Sequence, residues 1–412
     1  MPLVDMRDML HHAYQNNYAI GGFGLVSLDF LDAIIVAAEF CRSPVILNLS
    51  EPLFGQHDFR LILPAVERAA QMAKVPVAIH FDHAKQHESI VQAINLGCNS
   101  VMLDVSSEAF TVNTAQTGRA AQTAHACGVA IEGMLGFVGG TEGENALNHL
   151  GDVIYTSAEE AKVYVDRTKV DFLAVSIGTA HGRQNSRTKL DFKRLKRIND
   201  ELGIPLVLHG GSGLIEDQYH KLILNGVAKI NCYTELSDIA ATTIRSNVQT
   251  RTKKGYIETM HDVRNNLLEQ INLCMHRWGS AGRAAEVLIQ CRAWQPVEQI
   301  IAYNVEKRYL QQIDALIEQG REKLCAIPGV RQVFNGWALS ASGQYHLCLR
   351  IQFATTDASK TFQAHSEYIA FINQLSRISE PDKINITFAA TSAGFNQRTE
   401  MIKISQVPQY LA

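Results

Sequence analysis

Eight short apolar runs recur before about residue 240, and each ends in polar residues or glycine. They are AIGGFGL (19–25), PVILNLS (44–50), PVAIHFD (76–82), SVMLDVS (100–106), VAIEGML (129–135), FLAVSIG (172–178), PLVLHGG (205–211) and AKINCYT (228–234). Between them lie amphipathic stretches such as DFLDAIIVAAEF, LILPAVERAAQMA, ESIVQAINLG and EEAKVYVDRT. A strand that is apolar throughout must be covered on both faces, and helices repeating every 3.6 residues supply that cover. The alternation predicts a parallel sheet sheathed in helices. Eight units predict a closed (β/α)8 barrel. A doubly wound sheet is the alternative, but no strand-to-helix turn carries its GxGxxG fingerprint.

After residue 245 the pattern changes. RNNLLEQINLCMHRWGSAGRA reads as one amphipathic helix stopping at Gly279 and Gly282. From about residue 295 the chain reads strand (PVEQIIAYNV), helix (RYLQQIDALIEQGREKL), two strands (RQVFNGWAL, YHLCLRIQFA), helix (ASKTFQAHSEYIAFINQLSR) and strand (INITFAAT). That βαββαβ order predicts a ferredoxin-like α+β domain. A chain of 412 residues accommodates both: a barrel over 1–285 and a smaller domain over 286–412.

Composition narrows the function classes. With 46% hydrophobic and 19% charged residues and a formal net charge of −3, nothing points to nucleic acid or an acidic membrane as partner. No apolar run approaches the roughly 20 residues of a membrane helix, and the first residues lack the apolar core of a signal peptide. Eight scattered cysteines without a CxxC suggest reduced thiols and a cytoplasmic location.

In (β/α)8 barrels the chemistry gathers where the strands end. Those ends carry Ser50, Asp82-His83, Asp104, Glu132, Gly178 followed by His181, His209-Gly210-Gly211-Ser212, and Asn231 with Thr234. His83, His181 and His209 form a candidate zinc triad, since three protein ligands plus an open position describe a catalytic site. Any one of them alone is more simply a structural histidine. HGGSG (209–213) offers backbone N–H groups, a hydroxyl and a helix N-terminus to a phosphate, with Asn231, Thr234 and Gly182 at the rim. The competing reading is a tight turn that needs glycine. His80 would line the barrel beneath the site, His87 would be solvated, and His365 would be either a ligand-site residue or a surface histidine.

Several of these motifs, HFDHAKQHES, SVMLDVS, IGTAHG, PLVLHGGSG and GVAKINCYTEL, resemble the class II, zinc-dependent ketose-bisphosphate aldolases of the fructose- and tagatose-bisphosphate type, over about residues 4–284. The resemblance implies cleavage of a phosphorylated ketose to dihydroxyacetone phosphate and an aldehyde through an enediolate. It makes His83, His181 and His209 the zinc ligands, Asp82 the acid/base at the C4 hydroxyl, and Glu142 the acid/base of a mobile loop. Ser50, Gly182, Gly210, Gly211, Ser212, Asn231 and Thr234 would hold substrate, and Arg264 would reach a neighbouring subunit's substrate. Asp104 and Glu132 would lie near the metal, and a monovalent cation would sit near the phosphate. A homodimer or larger homo-oligomer is expected. The C-terminal segment resembles stress-responsive dimeric α/β-barrel domains through IPGVRQV and AHSEYIAF, which implies a dimerising role.

Two departures bear on the substrate. Met134 stands where many of these enzymes carry a glutamate that can touch the metal, and GFGLVSLDF lacks the asparagines usual near the first strand. Two rival readings stay open. Lys229 could act as a Schiff-base nucleophile, or the chain could be a non-catalytic partner subunit.

Overall fold

The structure, a computed structural model, describes residues 2–54, 58–138, 154–180, 182, 189–250, 255–339 and 343–389. Eight parallel strands close into a barrel in sequential order: β1 (Ile20–Gly24), β2 (Val45–Ser50), β3 (Val77–Ala84), β4 (Ser100–Leu103), β5 (Ala130–Leu135), β6 (Phe172–Val175), β7 (Leu206–Leu208) and β8 (Val227–Cys232). Closure is made by β1 against β8, with Gly22 opposite Asn231. The barrel expected from the eight apolar runs is the one observed. Among the described residues no helix is long and apolar enough to cross a membrane.

Every barrel residue from β1 to β8 is buried, so the strands show no alternation of burial along their length. What alternates is direction. Outward residues such as Leu47, Leu49, Ile79 and Phe81 pack under the helices in the large core. Inward residues change character along each strand. At the N-terminal end Ile20, Ile46, Ala78, Met102, Ala130 and Val207 form a second apolar cluster. It is plugged from below by Met6, Met9, Leu10 and Ala13 of the helix Met6–Gln15. Two residues further up, the same inward rows become polar at Asn48, His80 and Glu132, all of them buried. Because the side-chain period of a strand is two, Ile46–Asn48–Ser50 and Ala78–His80–Asp82 each run from apolar floor to polar mouth.

The C-terminal residues build a four-stranded antiparallel sheet in the order β10–β11–β9–β12 from β9 (Val297–Val305), β10 (Val330–Trp337), β11 (Leu347–Phe353) and β12 (Ser379–Ala389). With helices between β9 and β10 and between β11 and β12, this is the ferredoxin-like arrangement. One expected element differs. The single helix read through ASKTFQAHSEYIAF is two, Thr356–Gln363 and Ser366–Ile378. His365 sits in extended backbone between them, and its Nδ1 accepts a hydrogen bond from the Glu367 N–H at 3.3 Å. It is therefore an N-cap, a role sequence periodicity does not reveal.

The sheet docks on helices at the side of the barrel. Asn95, on the helix His87–Leu96, donates to the Cys325 and Ile327 carbonyls at 3.0 and 3.1 Å and accepts from Gly329 N–H at 2.7 Å. Arg331 and Glu67 form a bidentate pair at 2.8 and 2.5 Å, and the Thr355 hydroxyl donates to the Cys127 carbonyl at 2.7 Å. The connecting residues also fasten to the barrel. Arg292 pairs with Asp5 and Asp8, and Trp294 N–H donates to Leu3 at 2.9 Å. Replacing Asn95 leaves three backbone groups short of a partner, each loss costing on the order of 1 kcal/mol. Asn95→Ala is expected to lower stability by about 1–3 kcal/mol, read as a lower urea midpoint; an unchanged midpoint would show that this contact contributes nothing.

Candidate functional site

The inward polar rows converge at the C-terminal mouth on Asp82, His83 and His209, whose ligand-capable atoms all lie within 4.8 Å of one another. All three residues are buried, at 4% exposure or less. The last turn of β3 places two of them at once. His83 has φ of +54°, a left-handed backbone that a side chain adopts at a cost of about 1–3 kcal/mol. This breaks the strand alternation, since the register with β4 shifts between Phe81 and Ala84. The kink lets adjacent residues, which a regular strand would point to opposite faces, share one site. His209 follows directly on β7 and precedes Gly210, whose φ is +65°.

Each imidazole is held from behind by a carboxylate. His83 Nδ1 lies 2.9 Å from Asp104 Oδ2, and His209 Nε2 lies 2.8 Å from Glu132 Oε1. Those partners place a proton on each of these two nitrogens. The remaining nitrogens, His83 Nε2 and His209 Nδ1, lie 3.2 Å apart. The rings stand at 89° with centroids 4.8 Å apart. A cation bound by both nitrogens would take the place of that contact. The carboxylate–histidine pairing is also the outer arrangement that orients metal-ligating histidines. The donor set fits a divalent metal such as zinc.

Asp82 is clamped on one side only. Asn48 Nδ2 on β2 and Asn231 Nδ2 on β8 both donate to its Oδ2, at 2.7 and 2.8 Å. Its Oδ1 has no hydrogen-bond partner among the described residues, although His80 Nε2 stands 3.5 Å away. Complete burial opposes ionisation of Asp82. The neighbouring His83 ring and the Lys229 ammonium outweigh it and hold the carboxyl well below its usual range. Glu132 shows the same contest: burial raises its pKa, but Lys229 Nζ, 2.7 Å from Oε2, leads the effects that bring it down to about 2. Asp104 is likewise lowered against its burial, by its hydrogen bond to His83.

Gly22 makes the floor possible. A Cβ there would come 2.9 Å from Asn231 Oδ1 and 3.2 Å from Lys229 Cε. At the rim, an added Cβ on Gly211 would lie 3.1 Å from Leu208 and 3.9 Å from the Asn231 carbonyl, so the 210–212 turn abuts the end of β8. Ser50, Ser212, Asn231 and Thr234 are all buried, and the Ser50 hydroxyl and Asn231 Oδ1 have no hydrogen-bond partner among the described residues. Thr234 opens the helix Thr234–Thr250, and Gly182 is buried with φ of +100°.

His181 and Glu142 lie outside the described residues. Arg264 sits on the outer helix Val263–Arg277 and is ion-paired with Asp32 of the same chain rather than with a site residue. His80 is fully buried with Nδ1 2.8 Å from Ser100 Oγ. His87, expected to be solvated, is half-buried and reaches Thr123 Oγ1 at 3.3 Å. Met134 belongs to the apolar cluster inside the barrel. Asn48 is the site residue that sequence reasoning missed. Its signal was present as the one polar side chain interrupting the apolar run VILNL.

Known proteins resemble this chain over its barrel. Residues 4–283 match the model of the family described as fructose-bisphosphate aldolase class-II. A probable fructose-bisphosphate aldolase of Bacillus subtilis is 40% identical over 252 residues, covering 60% of this chain and 87% of the relative. The fructose-bisphosphate aldolase of Geobacillus stearothermophilus is 36% identical over 292 residues, covering 69% of this chain and all of the relative (100%). Among solved structures, the YdjI aldolase from Escherichia coli K12 superposes with a TM-score of 0.61 at 33% identity, over 68% of this chain and 99% of that one.

Proposed function

The chain belongs to the class II fructose-bisphosphate aldolase family of carbon–carbon lyases, and from that premise we propose that it reversibly cleaves a phosphorylated ketose to dihydroxyacetone phosphate and an aldehyde. The observation that carries this reading is the convergence of Asp82, His83 and His209 beneath a glycine-bounded rim at the end of the strands.

In this proposal His83, His209 and His181 hold one zinc ion, which when bound supplies Lewis-acid stabilisation of the negative charge left by bond cleavage. Asp82 removes the C4 hydroxyl proton. Asn48 and Asn231, both donating to Oδ2, hold the carboxylate in one orientation for that transfer. Glu142 exchanges the proton at carbon. Gly182, Gly210, Gly211, Ser212, Asn231 and Thr234, with Ser50 opposite, bind the phosphate half through backbone N–H groups, hydroxyls and a helix N-terminus. Asp104 and Glu132 orient the two imidazoles. Arg264 would have to leave Asp32 to reach a neighbouring subunit's substrate. Fructose 1,6-bisphosphate, after which the relatives are named, and tagatose 1,6-bisphosphate are the first substrates to test.

We also infer two domains, 1–285 and 286–412, with residues 291–294 bonded back to the barrel, and a dimerising role for the C-terminal sheet. Cross-strand pairing puts Ile300, Ile386 and Phe388 on the face away from the helices, where Ile386 and Phe388 are 46% and 49% exposed. All eight cysteines are free, which supports a reducing, cytoplasmic compartment.

Three measurements test these readings. A coupled assay for dihydroxyacetone phosphate across ketose 1-phosphates and bisphosphates is expected to show cleavage that a chelator abolishes and zinc restores, with His181→Ala losing metal and turnover together; chelator-resistant turnover, or full metal content in that variant, would overturn the assignment. Asn48→Ala removes one hydrogen bond to a buried carboxylate, worth about 1.5–3 kcal/mol. It should cost roughly ten- to a hundredfold in kcat/KM, and wild-type kinetics would refute the one-sided clamp. Removing residues 295–412, which spares the Arg292 and Trp294 contacts, should reduce the assembly size in sedimentation and leave metal content intact; an unchanged assembly would rule out the dimerising role.

A further inference from the structure

Beneath the site a lysine is sealed into the barrel with no access to solvent. Lys229 on β8 is 0% exposed, and its ammonium meets Glu132 Oε2 on β5 at 2.7 Å. The other oxygen of that carboxylate, Oε1, holds Nε2 of His209, the residue that follows β7, at 2.8 Å. Three strands are thus joined by one chain of charge-assisted hydrogen bonds that ends on an imidazole at the mouth. His80 Nε2 stands 3.6 Å from the same Glu132 Oε2, and its ring is anchored on Ser100.

We propose that Lys229 is a positioning residue for the metal site, acting through Glu132 to fix the orientation of His209. The proposal rests on the reading of His83 and His209 as metal ligands. A glutamate carboxylate turns in a broad, roughly two-fold torsional well. Unpinned, Glu132 has no reason to keep Oε1 on His209. Lys229 takes Oε2 and leaves the histidine the other oxygen. Among the described residues it also supplies the one buried ammonium in a floor that holds Asp82 and Glu132, where unneutralised charge costs several kcal/mol per ion. Gly22 leaves the space its side chain occupies, since a Cβ there would sit 3.2 Å from Lys229 Cε.

The same geometry argues against Lys229 as a Schiff-base nucleophile. An attacking amine needs a free lone pair and an open approach to a carbonyl. Here the nitrogen is engaged by a carboxylate and lies below Asp82, Asn48 and Asn231, which already crowd the way to the mouth.

The test is a double-mutant cycle on metal affinity, with Co2+ as the probe and competition against a chromogenic chelator, alongside the ligand-field spectrum of the bound ion. Wild-type protein that binds no Co2+ would refute the metal reading itself, separately from this proposal. If it binds, Lys229→Met should weaken Co2+ about 10–100-fold and alter the spectrum, the range found for lost outer-sphere partners. In a Glu132→Gln background the same change should cost less than about twofold, because Lys229 has no carboxylate left to position. Wild-type affinity in Lys229→Met, or an undiminished cost on top of Glu132→Gln, would overturn the proposal. If Lys229→Met alone does not fold, Glu132→Gln is compared with Lys229→Met/Glu132→Gln, in which both charges are absent. Equal affinities support action through Glu132, and tighter binding in the double variant would overturn it by showing a direct charge effect. A Lys229 adduct after borohydride treatment with dihydroxyacetone phosphate would overturn it in favour of covalent chemistry.

Discussion

The ion pair between Lys229 and Glu132 is the constraint around which the barrel interior is organised. Both side chains have no exposure, so neither charge is solvated by water, and each is tolerable only because the other is 2.7 Å away. Removing either partner would strand a charge in a dry interior, at a cost of about 3–5 kcal/mol. This requirement propagates outward. It explains a glycine at position 22, where any side chain would collide with Asn231 or Lys229. It also explains an apolar plug below, where Met6, Met9 and Leu10 close the floor from beneath.

Above the pair, strand periodicity and strain share the work. Regular β geometry brings Asn48, His80, Asp82 and Asn231 to one interior, because inward rows repeat every second residue and β2, β3, β8 and β1 are neighbours. Regular geometry cannot bring Asp82 and His83 there together. The positive φ of His83 does so, and the Asp104 and Lys85 contacts behind its ring help to hold that kink. Strain of this kind persists where surrounding contacts over-determine it.

The C-terminal sheet attaches far more locally. Its bonds go to the helix His87–Leu96, to Glu67, and to the Ala126–Cys127 carbonyls. These lie on the helical layer outside β3 to β5, so the sheet leans on the elements that carry Asp82, His83 and Glu132 without entering the mouth. Its own core is conventional, with Val297, Ile301, Tyr303, Leu349 and Ile351 buried on one face.

What the sequence determined by itself was the architecture and the cast of the site. Eight continuous apolar runs permit little besides a parallel sheet covered on both faces, and their polar endings carry Asp82, His83, His209, Asn231 and Glu132. These properties are local: hydrophobic period, strand length and the residue at a strand end. The tertiary structure decided which atoms face which. Asn48 as a clamp on Asp82, Lys229 as the partner of Glu132 rather than a free amine, His365 as a cap and Arg264 in the grip of Asp32 all depend on side chains 34 to 232 residues apart, or on a backbone torsion, that no period encodes. A linear pattern specifies which face a residue takes. Only the closure of β1 on β8, which makes eight faces into one interior, specifies its neighbours.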